Sequence, residues 1–450
     1  MSKPEKFFPR RAALADSGGV RECPMPVSTQ STFSSPAWIA GIFVLSLFTA
    51  IAYVAASRAY EEDPFAEESA VAMHLVHGEG FSSPLDPSPH AAPTAWCAPV
   101  YPALMAAVWS VAGVNTLASR LGLLGINAVC MAATAVALWL LVSHLFSHRA
   151  GAWTVALYVF NPFLLLPVTD YWDECLAVAM FAWSMVAVLW LARGGGRPWH
   201  WFGFGVGLGI LALTGPQYAL AFPLLIAVPL YRSANPHRLR CAGLVILGLV
   251  LTLLPWTLRN QRTFGHLFFV RSGLNLEIWL GNTRGNGLTH SVLPFHPDVN
   301  STEGKLYAQL GEVRYFQLCG TRFADDYRQR PLAFWKRCAR RAWYLVAGDP
   351  TDPDYEGSRT PPLAMRWHGK PVGRLIMQAI LTLLAVLGAW QVARRCPSRL
   401  WPLAAGLLSV VPYLVSHVQE RYAMPLRITV LIFAGLALSR LLTVRDAASS

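Results

Sequence analysis

The sequence predicts an all-α, polytopic membrane protein, and three observations carry that prediction. Of its 450 residues, 54% are hydrophobic and 14% charged, whereas soluble domains are about 25% charged. The apolar stretches run unbroken instead of alternating, which selects membrane-crossing helices over a β-barrel. The 37 Lys and Arg outnumber the 25 Asp and Glu, yet they gather at the ends of apolar stretches. That is the distribution of a membrane protein and argues against a nucleic-acid partner. Seventeen Trp, 22 Phe and 14 Tyr are too many for a disordered chain. The eight Cys show no CxxC or Cys/His spacing, so no metal site is readable. Cys319 and Cys338 fall on one loop, where a disulfide between them is an option.

Residues 1–36 are polar, carry Lys3, Lys6, Arg10, Arg11 and Arg21, and lack a small-residue cleavage site. They read as a disordered cytoplasmic tail ahead of an uncleaved first helix. Ten spans follow, at roughly 37–57, 118–143, 151–168, 175–192, 200–214, 216–231, 241–258, 373–392, 400–416 and 424–442. The third, fifth, sixth and ninth are short for a hydrocarbon core about 30 Å thick. Residues 443–450 form a cytoplasmic tail.

Loop charge orients these spans. With the N-terminus inside, the short cytoplasmic loops hold nine arginines: Arg149, Arg193, Arg197, Arg232, Arg238, Arg240, Arg394, Arg395 and Arg399. The short outer turns hold one, Arg421. Both termini are therefore expected in the cytoplasm. Within 37–258, the loop 58–117 then lies outside, and so does the segment 259–372. The first has seven acids and only Arg58 among basic residues, while the second has 16 Lys plus Arg against 10 Asp plus Glu. An acidic and a basic loop thus face each other outside the membrane, ahead of the closing spans in 373–442.

The loops hold the residues able to do chemistry. FAEESAVAMHLVH at 65–77 fits a short interfacial helix, with Asp63 as N-cap, Pro64 in the first turn, and Gly78 and Gly80 ending it. Helical spacing puts Glu67, Ala70, Val71 and His74 on one face. The apolar stretch 101–112 is a helix too short to span. Arg259, Arg262 and Arg271 lie just beyond the seventh span beside Trp256; a lone Arg there would snorkel, but three facing an acidic loop make an anion site. Residues 303–345 read as two helices broken at Pro331, the second a surface-docking helix with Trp335, Arg337, Arg341 and Trp343. In SHVQERYAMPLR, His417, Glu420, Arg421 and Arg427 cluster at the mouth of the last span, and Arg427, costly against lipid, should face the bundle. GFGVGLG at 203–209 lacks the context and Lys of a phosphate loop and reads as a helix-packing surface.

The order of these features is specific: one span, an acidic outer helix ending in GEGF, then PTAWCAPVYPALMA, paired short spans, LPWTLRN, FG, LEIWLGN and a closing HVQERYAMP. Across about residues 37–440 this resembles the bacterial dolichyl-phosphate-mannose-protein-mannosyltransferase-like glycosyltransferases, relatives of the lipid A aminoarabinose transferase. The resemblance implies a GT-C-like bundle and a polyprenyl-phosphate sugar donor used on the periplasmic face of the inner membrane. The acceptor would be a lipid, glycan or protein. It implies no firm cofactor and no nucleotide-sugar site. It also implies an acidic residue of the first outer loop near the catalytic centre. Many members carry Asp-Glu followed by Tyr there, whereas this chain has Glu61-Glu62-Asp63-Pro64; Glu67 is the first choice for the base and Asp63 the second. A sugar on a lipid phosphate already has a good leaving group, so one base and cations for the departing phosphate suffice. Arg259, Arg421, Arg427 and Arg58 are the cation candidates, with His74, Arg271 and His417 in support. Inversion at the anomeric carbon would follow. Two other classes stay open: a lipid-linked-sugar transporter or flippase, disfavoured by the nearly uncharged span middles, and a non-catalytic envelope assembly protein.

Overall fold

The computed structural model describes residues 36–64, 67–86, 88, 90–193, 196–233, 235–283, 297, 300–347, 371–419 and 421–448. The expected tail 1–36, apart from Pro36, and Glu420 lie outside the described residues. Helices dominate, and an isolated antiparallel bridge joins Ser82 and Pro93.

Each of the ten predicted spans is helical. They are α1 (Pro36–Ser57), α4 (Leu117–Leu145), α5 (His148–Val159) with its continuation, α7 (Glu174–Ala192), α8 (Pro198–Thr214), α9 (Phe222–Arg232), α10 (Arg238–Phe264), α15 (Pro371–Arg395), α16 (Trp401–Val415) and α17 (Met424–Ala448). Seven of them are long and apolar enough to cross a membrane, or eight if the pair around Asn161 counts as one bent span. The chain is a multi-pass membrane protein, but length and composition do not reach ten full crossings. The bend has a local cause. Asn161 accepts from the Phe163 amide at 3.0 Å, and Pro162 cannot continue the previous ladder. The second half, α6 (Pro162–Leu165) and a 3₁₀ turn to Thr169, therefore departs by 67°.

The centre of the bundle is α4, α7 and α17, whose most apolar windows are 61–67% buried; α1 and α10 are peripheral, at 28% and 22%. The peripheral helices turn Val44, Phe48, Leu247 and Val250 outward, as helices facing lipid do. GFGVGLG is a packing surface, as expected. A Cβ on Gly205 would lie 2.0 Å from the Val245 carbonyl oxygen, and one on Gly248 2.3 Å from that of Phe202, so α8 and α10 touch backbone to backbone. On the face opposite the long loops, Arg399 donates to Leu145 O and Arg232 to Ser398 O, both at 2.8 Å, where helix ends leave carbonyls unpaired.

The loop side is a second small core of its own. It is built from α2 (Glu67–Val76), α11 (Leu274–Thr283), α12 (Thr302–Leu310) and α13 (Glu312–Gln329), while α3 (Val100–Ala112) packs on the main core and α14 (Pro331–Ala347) on the last spans. Val71, Trp96, Leu276, Trp279, Tyr315 and Phe316 pack together there. Residues 303–345 thus form three helices where two were expected. Gly311, at φ 74°, breaks the run before Pro331 does, so that the Glu312 side chain can turn inward. Gly78 and Gly80, at φ 77° and 79°, end α2 as expected. Cys319 and Cys338 are both free thiols and do not pair.

Candidate active site

Three loop regions, distant in sequence, meet above α7. The first is the start of α2 with the stretch 94–97. Glu67, Glu68 and Cys97 bring one carboxylate or thiol atom each within 4.8 Å of one another. The second is the turn 169–174. Asn127 donates to Asp170 O at 2.6 Å and the Tyr171 hydroxyl to Ala59 O at 3.2 Å, which fixes Asp173 and Glu174 at the mouth of α7. The third comprises Arg271, α11 and residues 417–422. Arg271 donates through Nε to Trp96 O at 2.6 Å and lies 3.8 Å from Glu277. His417 Nδ1 is 3.2 Å from the other oxygen of Glu277. Arg421 meets Glu174 at 3.1 Å and its guanidinium sits 3.6 Å from the Trp172 ring centre. Tyr422 stacks on Tyr413 at 4.1 Å and holds the turn that carries Arg421.

The electrostatics follow from partial removal from water. Glu68 is half-buried, but its Oε2 is fully buried and accepts no hydrogen bond in the described structure. Burial, then Glu67 and Asp173, push this carboxyl well above the carboxylate range, and Arg271 opposes them only in part. Burial pushes the Cys97 thiol up as well, so it stays protonated and unreactive. Arg271 is the reverse case: burial works against its charge, but its acidic neighbours, Glu277 foremost and Glu67 with it, outweigh burial and hold it cationic. Two carboxylates and a thiol are a donor set that suits zinc. A cation would have to displace protons from Glu68 and Cys97 and share the space with Arg271.

Asp173 gives a pH prediction. Burial pushes its carboxyl up to about 6, against the pull of Arg421 and Arg271. The folded protein therefore binds this proton more tightly than the unfolded chain. The resulting stabilisation is complete below about pH 4 and is lost as pH rises through about 6. Glu68 acts in the same direction. The melting temperature in detergent should fall between pH 5 and pH 7.5, and Asp173→Asn should flatten that fall. An unchanged slope in the variant would show that Asp173 titrates alike in both states.

The structure gathers some of the sequence-predicted residues and scatters others. Glu67, Arg271, His417 and Arg421 meet in this site. Arg427, in the first turn of α17, is buried and faces the bundle, as expected. Asp63 is not a cap pointing at the site; its carboxylate is exposed and takes a 2.8 Å bond from Arg120. Arg58 is exposed at a left-handed backbone position and pairs with Glu61. His74 is pinned elsewhere, between Glu79 at 2.5 Å and Asp86 O at 2.9 Å. Arg259 donates to Thr94 O at 2.6 Å and Phe81 O at 3.0 Å, over the Trp256 ring, and so ties down the first loop instead of facing the site. Glu312 does the same from the other side. It accepts from Thr94 Oγ1 at 2.5 Å, Ala95 N at 2.9 Å, Ser272 Oγ at 2.6 Å and Tyr307 OH at 3.1 Å. The sequence reading missed Glu68, Asp173, Glu174 and Glu277. The signal for Asp173 and Glu174 was present in TDYWDEC, acids at the very start of an apolar span.

No known family profile and no curated protein matches the chain in sequence. Solved structures do match in shape. The archaeal oligosaccharyltransferase AglB from Archaeoglobus fulgidus, in complex with an inhibitory peptide and a dolichol-phosphate, superposes with a TM-score of 0.52 at 13% identity. The match covers 93% of this chain and 52% of that one. An Archaeoglobus fulgidus oligosaccharyltransferase in the apo form gives 0.50 at 14% identity over the same shares. The chain has the GT-C fold. It spans about half the length of the oligosaccharyltransferase it matches. ArnT from Cupriavidus metallidurans, bound to undecaprenyl phosphate, aligns over 92% of this chain and 80% of its own at a TM-score of 0.41 and 11% identity.

Proposed function

We propose that this chain is an integral-membrane glycosyltransferase that moves a sugar from a polyprenyl-phosphate donor to an acceptor on the periplasmic face of a bacterial inner membrane. One observation carries the reading: carboxylates from the first loop and the second turn converge with Arg271 and Arg421 at one end of a GT-C bundle. The similar oligosaccharyltransferase holds dolichol-phosphate in the same fold. Charge concentrated at one end of the bundle favours chemistry at the membrane boundary over transport through it, which needs polar groups at mid-depth.

The step is a single displacement with inversion. An acceptor O–H or N–H gives its proton to Glu67 as its heteroatom bonds to the anomeric carbon. The bond from that carbon to the phosphate oxygen breaks, and the lipid phosphate leaves with the electron pair. Arg421 and Arg271 stabilise the charge that develops on it. Glu68, carrying a proton, keeps a second negative charge away from the base.

The test is release of polyprenyl phosphate from synthetic polyprenyl-phosphate sugars by the protein in nanodiscs, beside mass spectrometry of envelope glycans from a deletion strain. A periplasm-active reporter fused after Glu303 should be active, and one fused after Arg197 silent. Absence of turnover with every donor, together with unchanged envelope glycans, would sink the proposal.

A further inference from the structure

Arg341 lies on α14, a helix whose sequence reads as an outward, membrane-surface element. The structure buries it completely, at 0% exposure. The exposed face of α14 carries Leu332, Trp335 and Trp343 instead, while Leu345 packs inward with Val410, Val418 and Leu426. Burial pushes the Arg341 guanidinium down to about 10. Burying a guanidinium against neutral oxygens costs free energy that an apolar side chain of similar volume would not, so its geometry demands an explanation.

The guanidinium spans two helix ends. It donates to Gly281 O at 2.6 Å and Asn282 Oδ1 at 2.7 Å, at the end of α11, and to Leu414 O at 2.7 Å, at the end of α16. Asn282 adds a second tie, donating to Val415 O at 2.8 Å. At the same junction a Cβ on Gly281 would fall 1.9 Å from Ser416 O, so only glycine permits this approach. Glu277 lies one turn before Gly281 on α11, and His417 lies one residue after Ser416. Their 3.2 Å contact spans the two segments that Arg341 joins, and Glu277 also faces Arg271.

We infer that Arg341 is a positioning residue that locks the end of α11 to the end of α16, and so sets the Glu277–His417 contact behind Arg271. A planar fork reaching three acceptors, two carbonyls and the Asn282 side chain, on two segments is a task for Arg and not for Lys, which offers a single point charge. The lock is a geometric claim; its effect on turnover rests on the glycosyl-transfer reading.

Hydrogen exchange of the full-length protein in nanodiscs tests the lock without substrate. Arg341→Lys should speed exchange about tenfold in 274–283 and 413–419, as expected for loss of bonds from a charged donor, and leave α4 unchanged. Wild-type exchange in both segments would overturn the inference. Should Arg341→Lys fail to insert, Asn282→Ala gives the same reading: faster exchange in 413–419 supports the lock, and no change refutes it. In turnover, Arg341→Lys and His417→Gln should each lower kcat about tenfold, and the double variant should lose little more than either, because both act through one contact. Fully additive losses would show that Arg341 does not act through His417. Loosened segments in a protein without transferase activity would leave the lock standing and remove the functional reading instead.

Discussion

Glu67→Gln should lower the transfer rate at least about a hundredfold, the usual cost of removing a general base, with the protein still folded and inserted. Glu68→Gln should lower it less than about tenfold, because a glutamine reproduces the neutral form that burial favours at Glu68. The contrast between adjacent glutamates is the informative part. Both open α2, and both stand beside Cys97 and Arg271. Burial, with Glu67 and Asp173 alongside, pushes the Glu68 carboxyl up, which favours a single negative charge on the pair. Single-turnover rates on a synthetic donor would compare them directly. A dead Glu68→Gln with an active Glu67→Gln exchanges the roles. Two active variants would move the base to Asp173, and activity of all three glutamine or asparagine variants would remove carboxylate base catalysis. Asp63→Asn should be silent, since Asp63 is exposed and held by Arg120.

This contrast marks where sequence reasoning stops. The spans were legible because an apolar run of the right length, closed by arginines, has one physical solution in a bilayer. Glu67 was a candidate because the resemblance implies an acid in the first outer loop; the structure sets it beside Cys97 and Arg271 but pins His74, expected on the same face, to Glu79 and Asp86. Asp173 and Glu174 were legible only as acids at the start of an apolar span; their role depends on Arg421, some 250 residues later, and nothing local announces that partnership. Arg259 and Arg341 show the opposite failure. Each looks like a boundary or surface cation, and each is instead spent on backbone carbonyls of other segments, Thr94 and Phe81 for one, Gly281 and Leu414 for the other. Those carbonyls belong to no sequence pattern, since every residue has one.

Those same placements divide the arginines into two groups with different expected behaviour, and Lys substitution separates them. A phosphate clamp needs the paired, charge-assisted geometry of a guanidinium, which an ammonium does not reproduce. Arg421→Lys should therefore lower kcat/KM for the donor about ten- to hundredfold, in the range of hydrogen bonds to charged groups. Arg421 has further reason to resist replacement, because it meets Glu174 and lies over Trp172 at the same time. Arg271→Lys should fall in the same range, with an added cost from losing the bond to Trp96 O that fixes the loop carrying Cys97. Arg58→Lys should leave donor kinetics unchanged, because an exposed pair with Glu61 needs only a positive end. Arg259→Lys should lower stability and protein level through the loss of its carbonyl bonds, while the folded fraction keeps its donor KM. Kinetics on purified protein, normalised to folded protein, would sort the four. Unchanged donor kinetics in both Arg421→Lys and Arg271→Lys would show that neither grips the phosphate and that the two arginines serve only to neutralise Glu174 and Glu277.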